Sequence, residues 1–237
     1  AMKISHLSSF ACLLLCFALQ LQLAAGQCQP LPPGSYTVGG ASAHFPSLDS
    51  ALHRLRCAGV SGPVELQLAA GNYTGRYVLD SLPGTPHPIR LQGQGEVKFS
   101  RNGSALYPES FVLAGGQWEL TQLVFERSVQ LVNNGPMIRV QGGSNHRIGN
   151  NRMVDLSAMP YPGNTAVVWR GGDSLHIDSN HFSGWGRVLW ADSLGNSSGL
   201  IFTANTITDY RAQGLFLQGV LEAEISFNWL KDASFMY

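Results

Sequence analysis

Met137-Ile-Arg-Val-Gln-Gly-Gly143 leads into Asn145-His-Arg-Ile-Gly-Asn-Asn151-Arg-Met153, and the pattern returns almost at once as Ala166-Val-Val-Trp-Arg-Gly-Gly172 followed by Ser174-Leu-His-Ile-Asp-Ser-Asn180-His-Phe182. Each copy holds a short alternating strand, a Gly-Gly turn, a second strand, an Asn and a closing apolar residue. A period of 20 to 50 residues marks a solenoid whose coils bury their faces against one another. Working outward, one column of positions runs Leu123, Asn151, Asn180, Asn205 and Asn228. Three residues before each stands an apolar side chain (Leu120, Ile148, Ile177, Phe202, Ile225), and two residues after each stands another (Phe125, Met153, Phe182, Ile207, Leu230). A second column, aligned on the residue before the turn, runs Leu68, Leu91, Leu113, Val140, Trp169, Trp190 and Leu217; Ile89-Arg-Leu-Gln-Gly93 matches Ile138-Arg-Val-Gln-Gly142 almost letter for letter.

These columns predict an all-β, single-stranded right-handed parallel β-helix with three sheets and coils stacked about 4.8 Å apart. Asn151, Asn180, Asn205 and Asn228 are read as a structural ladder at one bend, since stacked amides hydrogen-bond one another. The third turn of each coil absorbs the length variation, as in Ser157 to Thr165 and Asp192 to Gly199. Ahead of the coils, Leu48, Ala51, Leu52 and Leu55 form one helical stripe, with Ser47 as N-cap and Gly59 as the stop. That amphipathic helix is expected to cap the stack. The expected organisation is a signal peptide over 1–26, an N-terminal arm and capping helix over 27–60, and coils over 61–237.

The chain has 237 residues, 44% of them hydrophobic, enough for one continuous core. Lys plus Arg and Asp plus Glu balance at 15 each, so no overall field favours nucleic acid or an anionic membrane. Met2-Lys3, the apolar run Phe10 to Leu23 and the small residues Ala24-Ala-Gly26 form a secretory signal. Export to the cell surface or medium follows, with no membrane span in the mature chain. Cys12 and Cys16 leave with that signal. Cys28 and Cys57 remain, read as a disulfide rather than as two buried thiols.

Gly34-Ser-Tyr-Thr-Val-Gly-Gly40, Phe45-Pro-Ser-Leu48, Gly59-Val-Ser-Gly-Pro-Val64 and Ala70-Gly-Asn-Tyr73 resemble the opening module of secreted Bacteroidetes β-helix proteins. That resemblance covers about residues 34–100; over 60–237 the repeats resemble the pectin-lyase-like superfamily. The first resemblance implies a large surface protein, so the chain, which stops at Asp232-Ala-Ser-Phe-Met-Tyr237 soon after an Asn bend, reads as truncated at its C-terminus. The second implies that sugars are handled on the outward face of the strand before the Gly-Gly turn. There the alignment sets Arg90, Val112, Arg139, Val168, Leu189 and Phe216 in one column, and Ala69, Gln92, Ala114, Gln141, Arg170, Ala191 and Gln218 in the next. Arg90, Gln92, Arg139, Gln141, Arg170 and Gln218 are therefore the candidate substrate-binding residues, because guanidinium forks and amides read hydroxyls and carboxylates. Trp185, with Tyr161 and Tyr210, is a candidate for stacking on sugar rings.

Glycoside hydrolysis needs two carboxylates across a cleft, and these columns hold none. The expected function is accordingly a non-catalytic, glycan-binding or adhesin-like extracellular protein, whose partner is a polysaccharide or cell-surface glycan. No catalytic residue, metal site or cofactor is assigned. The alternative is a polysaccharide lyase or glycosidase acting on acidic polysaccharide, with Ca²⁺ if a lyase and with catalytic coils partly missing. His146, His176 and His181, near Asp173 and Asp178, are read either as a His-Asp pair or, more simply, as exposed polar positions. Asp155, Asp209 and Asp232 are read as turn formers.

Overall fold

A computed structural model describes residues 28–83, 87–101, 109–127, 135–157 and 164–232. Residues 1–26, expected to be a signal peptide, and Tyr161 lie outside the described residues. Among those described, the chain forms seventeen strands and one helix, α1 (Leu48–Ala58). Every strand pairing is parallel, and the chain winds through about seven turns of a right-handed β-helix.

Each coil contributes to three ladders, called here the A, B and C sheets. Sheet A is built by β1 (Gly34–Val38), the start of β2 (Val64–Tyr73) and of β4 (Ile89–Arg101), β6 (Trp118–Thr121), β9 (Ser144–Gly149), β12 (Asp173–Asp178), and the ends of β14 (Arg187–Thr203) and β16 (Gln213–Ser226). Sheet B takes the ends of β2 and β4, then β7 (Val124–Arg127), β10 (Arg152–Asp155), β13 (His181–Ser183), β15 (Thr206–Thr208) and β17 (Trp229–Lys231). Sheet C takes β3 (Tyr77–Leu79), β5 (Phe111–Leu113), β8 (Ile138–Val140), β11 (Thr165–Trp169) and the starts of β14 and β16.

The Asn column read from the sequence is the bend between sheets A and B. Asn151 donates from its backbone N–H and its Nδ2 to Asn180 Oδ1, at 2.9 and 3.1 Å. Asn180 does the same to Asn205 Oδ1, at 3.0 Å for both bonds, and Asn205 to Asn228 Oδ1, at 2.9 and 3.0 Å. The second Nδ2 hydrogen of each goes to a carbonyl of the preceding coil: Leu120, Ile148, Ile177 and Phe202 in turn. A buried amide has two donors and two acceptor lone pairs, and in Asn180 and Asn205 all are used. The flanking apolar residues stack as expected: Leu120, Ile148, Ile177, Phe202 and Ile225 are register partners in sheet A, and Phe125, Met153, Phe182, Ile207 and Leu230 in sheet B. Phe202 and Ile207 are fully buried, whereas Ile225 and Leu230, with no described coil over them, are 48% and 49% exposed.

The other expected column needs correction. Leu68 and Leu91 are buried but belong to sheet A, since Leu91 pairs with Leu66 and Leu120. The matching pentapeptides therefore sit at different corners. Gly93 is pressed against the A-to-B bend, where a Cβ would lie 2.1 Å from Gln122 O; Gly142 is at the C-to-A corner, where a Cβ would lie 2.6 Å from Ala114 O. Both corners exclude a side chain, so both spell Gln-Gly. Trp190 also moves: Trp169 pairs with Ala191 and Val168 with Trp190, so Ala191 points in and Trp190 points out. Trp169 is buried, and a small residue over it fills the layer where a second indole would overpack. Asp192 to Gly199 lies at the C-to-A corner, not at the third turn with Ser157 to Thr165.

Helix α1 starts at Ser47, which with Ser50 forms a reciprocal capping box, and stops at Gly59 with φ 74°. Leu48, Ala51, Leu52 and Leu55 are buried and join the same core cluster as Leu66 and Leu68. Cys28 and Cys57 form a disulfide across 29 positions, a closure that contributes about 3 kcal/mol by restricting the unfolded chain.

The ladder gives the first prediction. Asn180→Ala leaves the backbone N–H and one Nδ2 hydrogen of Asn151 without their acceptor and Ile148 O without its donor, and these buried groups lose their partners without regaining solvent. Denaturant unfolding should show a loss of about 2–4 kcal/mol. A loss below about 0.5 kcal/mol would mean that the ladder is decoration on a stack held by apolar packing alone.

Candidate functional site

Outward side chains on sheets A and C differ in what they can offer a ligand. On sheet A, Glu65, Arg90, Glu119, Arg147 and His176 stand in one column, with Asp178 beside them. Arg90 Nε donates to Glu119 at 2.8 Å, and its Nη1 lies 3.4 Å from Glu65. Arg147 donates to both oxygens of Asp178, at 2.8 and 2.7 Å, and to Glu119 at 2.5 Å. The hydrogen bonds to Asp178, then the charge of that carboxylate and of Glu119, hold the Arg147 guanidinium above its ordinary range despite partial desolvation. Alternating charge thus zips coil to coil and neutralises the face.

Arg90 and Gln92, both expected at the ligand face, belong to this sheet. Arg90 is spent on the ladder, and Gln92 donates to Gln122 at 2.8 Å. Both belong to the pentapeptide Ile89–Gly93, whose letters match those of the C-to-A corner at Ile138–Gly142. Trp185 is also displaced from the candidate face. It is fully buried, its Nε1 donates to Met153 O at 3.0 Å, and the Arg127 guanidinium lies 5.2 Å from its ring. Tyr210 packs against the core.

On sheet C the structure does bring Arg139, Gln141, Arg170 and Gln218 together. One outward column runs Val112, Arg139, Val168, Trp190 and Phe216. The next, just past the strands, runs Ala114, Gln141, Arg170, Asp192 and Gln218, continuous through backbone bonds from Ala114 to Leu79 O, Gln141 to Leu113 O and Arg170 to Val140 O. Leu189 and Ala191, expected on this face, point inward and are buried. In their places stand Trp190 and Asp192, which a one-residue slip in coil alignment had hidden.

Trp190 is the aromatic of this face. Phe216 meets it edge-on at 5.9 Å, and the Arg187 guanidinium stacks 4.4 Å from its ring. Trp190 Nε1, Arg187 Nε and Arg211 Nη1 have no hydrogen-bond partner among the described residues. Arg139 is anchored on Glu109, at 2.5 and 2.7 Å, and Glu109 is 4% exposed and also 3.7 Å from Arg76. Arg170 is 3.8 Å from Asp192 and its side chain is 48% exposed. Glu109 and Asp192 belong to coils three apart and stand at opposite ends of the sheet C strands, so their separation exceeds the ~14 Å of three strand spacings. Paired carboxylates of glycosidases lie roughly 5–9.5 Å apart, so these two do not form such a pair.

The histidines separate. His176 and His181 are on the surface, beside Ser174 at 3.4 Å and Thr208 at 3.3 Å. His146, expected among exposed positions, points inward in register with Leu175 and is 1% exposed. Its Nδ1 accepts the Trp118 N–H at 3.2 Å and its Nε2 donates to Gly142 O at 2.7 Å. Asp155 is buried and accepts from Ser157 and Asn164, while Asp209 and Asp232 sit at φ 53° and 58° as turn residues. Among the described residues, no group of three or more His, Cys, Asp or Glu side chains is placed to hold a metal, and no helix is long and apolar enough to cross a membrane.

The fold and this face define the chain as a right-handed parallel β-helix protein with a charged, aromatic outer sheet. No protein-family model matches it, and no curated protein does either. Among solved structures it is similar to the pectin methylesterase from Aspergillus niger in its penultimately deglycosylated form, at 12% identity over 87% of both chains with a TM-score of 0.40. It is similar also to the deglycosylated form of that enzyme, at 13% identity over 85% of this chain and 88% of the other, TM-score 0.39. The likeness is one of fold.

Burial lowers the His146 pKa, outweighing its two backbone hydrogen bonds. The folded state then stays neutral where the unfolded chain binds a proton, so stability is complete above about pH 6.5 and falls as pH drops below it. His146→Leu copies the register partner Leu175. The variant should lack that component: its unfolding free energy should change less between pH 7 and pH 5 than that of the parent, by up to about 1.4 kcal/mol per unit. Parallel curves for the two proteins would show that His146 does not titrate with unfolding.

Proposed function

We propose that the chain is an extracellular, non-catalytic glycan-binding or adhesin-like protein whose binding face is the outer surface of sheet C. The observation that carries this reading is the register that sets Trp190 and Phe216 beside Arg170, Asp192, Gln141 and Gln218. A sugar ring has an apolar face for an indole and a rim of hydroxyls for amides, guanidinium and carboxylate. The signal segment and the Cys28–Cys57 disulfide support export, and helix α1 serves as the cover of the first coil. The partner is a polysaccharide or cell-surface glycan.

The Arg170–Asp192 juxtaposition favours one second reading, a sugar-acting enzyme. Arg170 would neutralise a uronate carboxylate and Asp192 would take the C5 proton beside it, as the C4–O glycosidic bond breaks, a C4=C5 double bond forms and the leaving oxygen takes a proton from solvent.

A glycan array, followed by titration of the best ligand, tests both. Binding should weaken at least tenfold, about 1.4 kcal/mol, in Arg170→Ala and in Trp190→Ala. Survival of binding in Arg139→Ala combined with Arg170→Ala would remove sheet C as the site. Release of unsaturated uronate products that stops in Asp192→Asn would replace the first reading with the second.

A further inference from the structure

We infer that the chain carries a second ligand site, a pocket for one or two rings of a neutral sugar, at the C-to-A corner of the first coils. A cavity of about 330 Å³ opens there, between residues 80–83, which follow β3, with His87, and the turns of the next two coils. That volume is at the lower end for small-molecule pockets, which suits a monosaccharide or disaccharide rather than a chain segment.

The walls are set by glycines. A Cβ on Gly59 would lie 1.8 Å from Pro83 O, and one on Gly115 would lie 2.2 Å from Ser81 Oγ and 2.7 Å from Ser81 N. The segment after β3 is thus seated at two points on backbone that has no side chain to push it away. Arg56 adds a tether: it donates to Val78 O and lies 3.9 Å from Asp80. On the opposite wall, Gly116 and Gly143 hold φ 71° and 83°, and Trp118 Nε1 donates to Asp80 O at 3.2 Å, joining the walls. A tight turn repeated one coil above the other therefore backs a cavity rather than a flat surface.

Its chemistry is that of a hydroxylated, uncharged ligand. Ile89, Leu82 and the buried Trp118 give an apolar wall. Asp80, Ser81, Gln117 and Ser144 offer an acceptor carboxylate, two hydroxyls and an amide. Among the described residues His87 is the one basic side chain at the pocket, no Arg or Lys lines it, and the carboxylate of Asp80 would repel an anion. This separates it from sheet C, where four arginines stand near the candidate face, and the inference does not rest on the reading of that face.

Saturation-transfer NMR with the methyl glycosides of glucose, galactose, mannose and xylose, each at 10 mM, tests it. At least one should show saturation from the wild-type protein, with a millimolar dissociation constant. Ser144→Trp, which fills the cavity, should abolish the signal, and Arg139→Ala combined with Arg170→Ala should leave it unchanged. If Ser144→Trp does not fold by circular dichroism, Gln117→Ala combined with Ser81→Ala takes its place, with binding weakened about tenfold. No saturation of any of the four glycosides overturns the site. So does binding that a folded pocket variant leaves intact. Loss of signal only in the arginine double variant would move these ligands to sheet C.

Discussion

Everything in this solenoid hangs on how the chain turns from sheet A to sheet B. The residue before each ladder position holds a left-handed backbone although none of the five is glycine: Gln122, Asn150, Ser179, Ala204 and Phe227 all have φ between 54° and 56°. Each such conformation costs about 1–2 kcal/mol for a residue with a Cβ. The Asn that follows recovers that cost. Its side chain completes the hydrogen bonding of the neighbouring bend, and its own backbone N–H goes to the next amide, so no single bend can relax without breaking its neighbours. Leu123 begins the series as an acceptor-less member: it donates its N–H to Asn151 Oδ1 at 3.0 Å and closes the ladder with an apolar side chain. The bend is thus a collective property of the stack, and it fixes the phase of every strand on either side.

That explains which parts of the molecule were legible in its sequence. From Leu123 to Asn228 the A-to-B bend keeps one length, although it is longer in the coils of β2 and β4, so its Asn column and the apolar residues three before and two after keep constant spacing, and reading them places sheets A and B correctly. The other two corners admit different lengths. There, similar letters do not mark equivalent positions. Gln-Gly recurs at two corners because both press backbone on backbone, so Arg90 and Gln92 were carried to the wrong sheet. Trp169 and Trp190 look equivalent, yet the core alternates a large indole with Ala191, and the slip of one residue turned Asp192 and Trp190 away from the candidate face. Trp185 follows a Gly in a short connection and gives no periodic sign that it is buried. The signal that sets the register there is layer volume, large over small.

Charge distribution then separates scaffold from site. On sheet A the side chains alternate in sign along the axis, at coil spacing, with short bonds between them. Such a face is internally satisfied and offers a ligand little that it would not first have to break. On sheet C the pairing is uneven. Glu109 holds Arg139 from a buried position, which orients the guanidinium without removing its remaining donors, and Arg170 meets Asp192 only at 3.8 Å. The donors on Trp190, Arg187 and Arg211 are unmatched among the described residues. Unmatched buried donors beside aromatic rings are costly to a fold, whereas the charges of sheet A are paired coil to coil.

The three corners therefore divide the work. The A-to-B corner is held rigid by a buried ladder and contributes only stability. The C-to-A corner is tight in some coils, as at Gly142-Gly143, and extended in others, as between Asp192 and Ser197 where the register shifts. The B-to-C corner varies as well, being short between β2 and β3 and much longer between β7 and β8. Sheet C is the one sheet bounded by both variable corners, and the proposed pocket lies at one of them. A solenoid can change what borders sheet C without disturbing the ladder on the far side, because coil-to-coil registration is already set there. Rigidity at one corner is what leaves the other two free to carry chemistry.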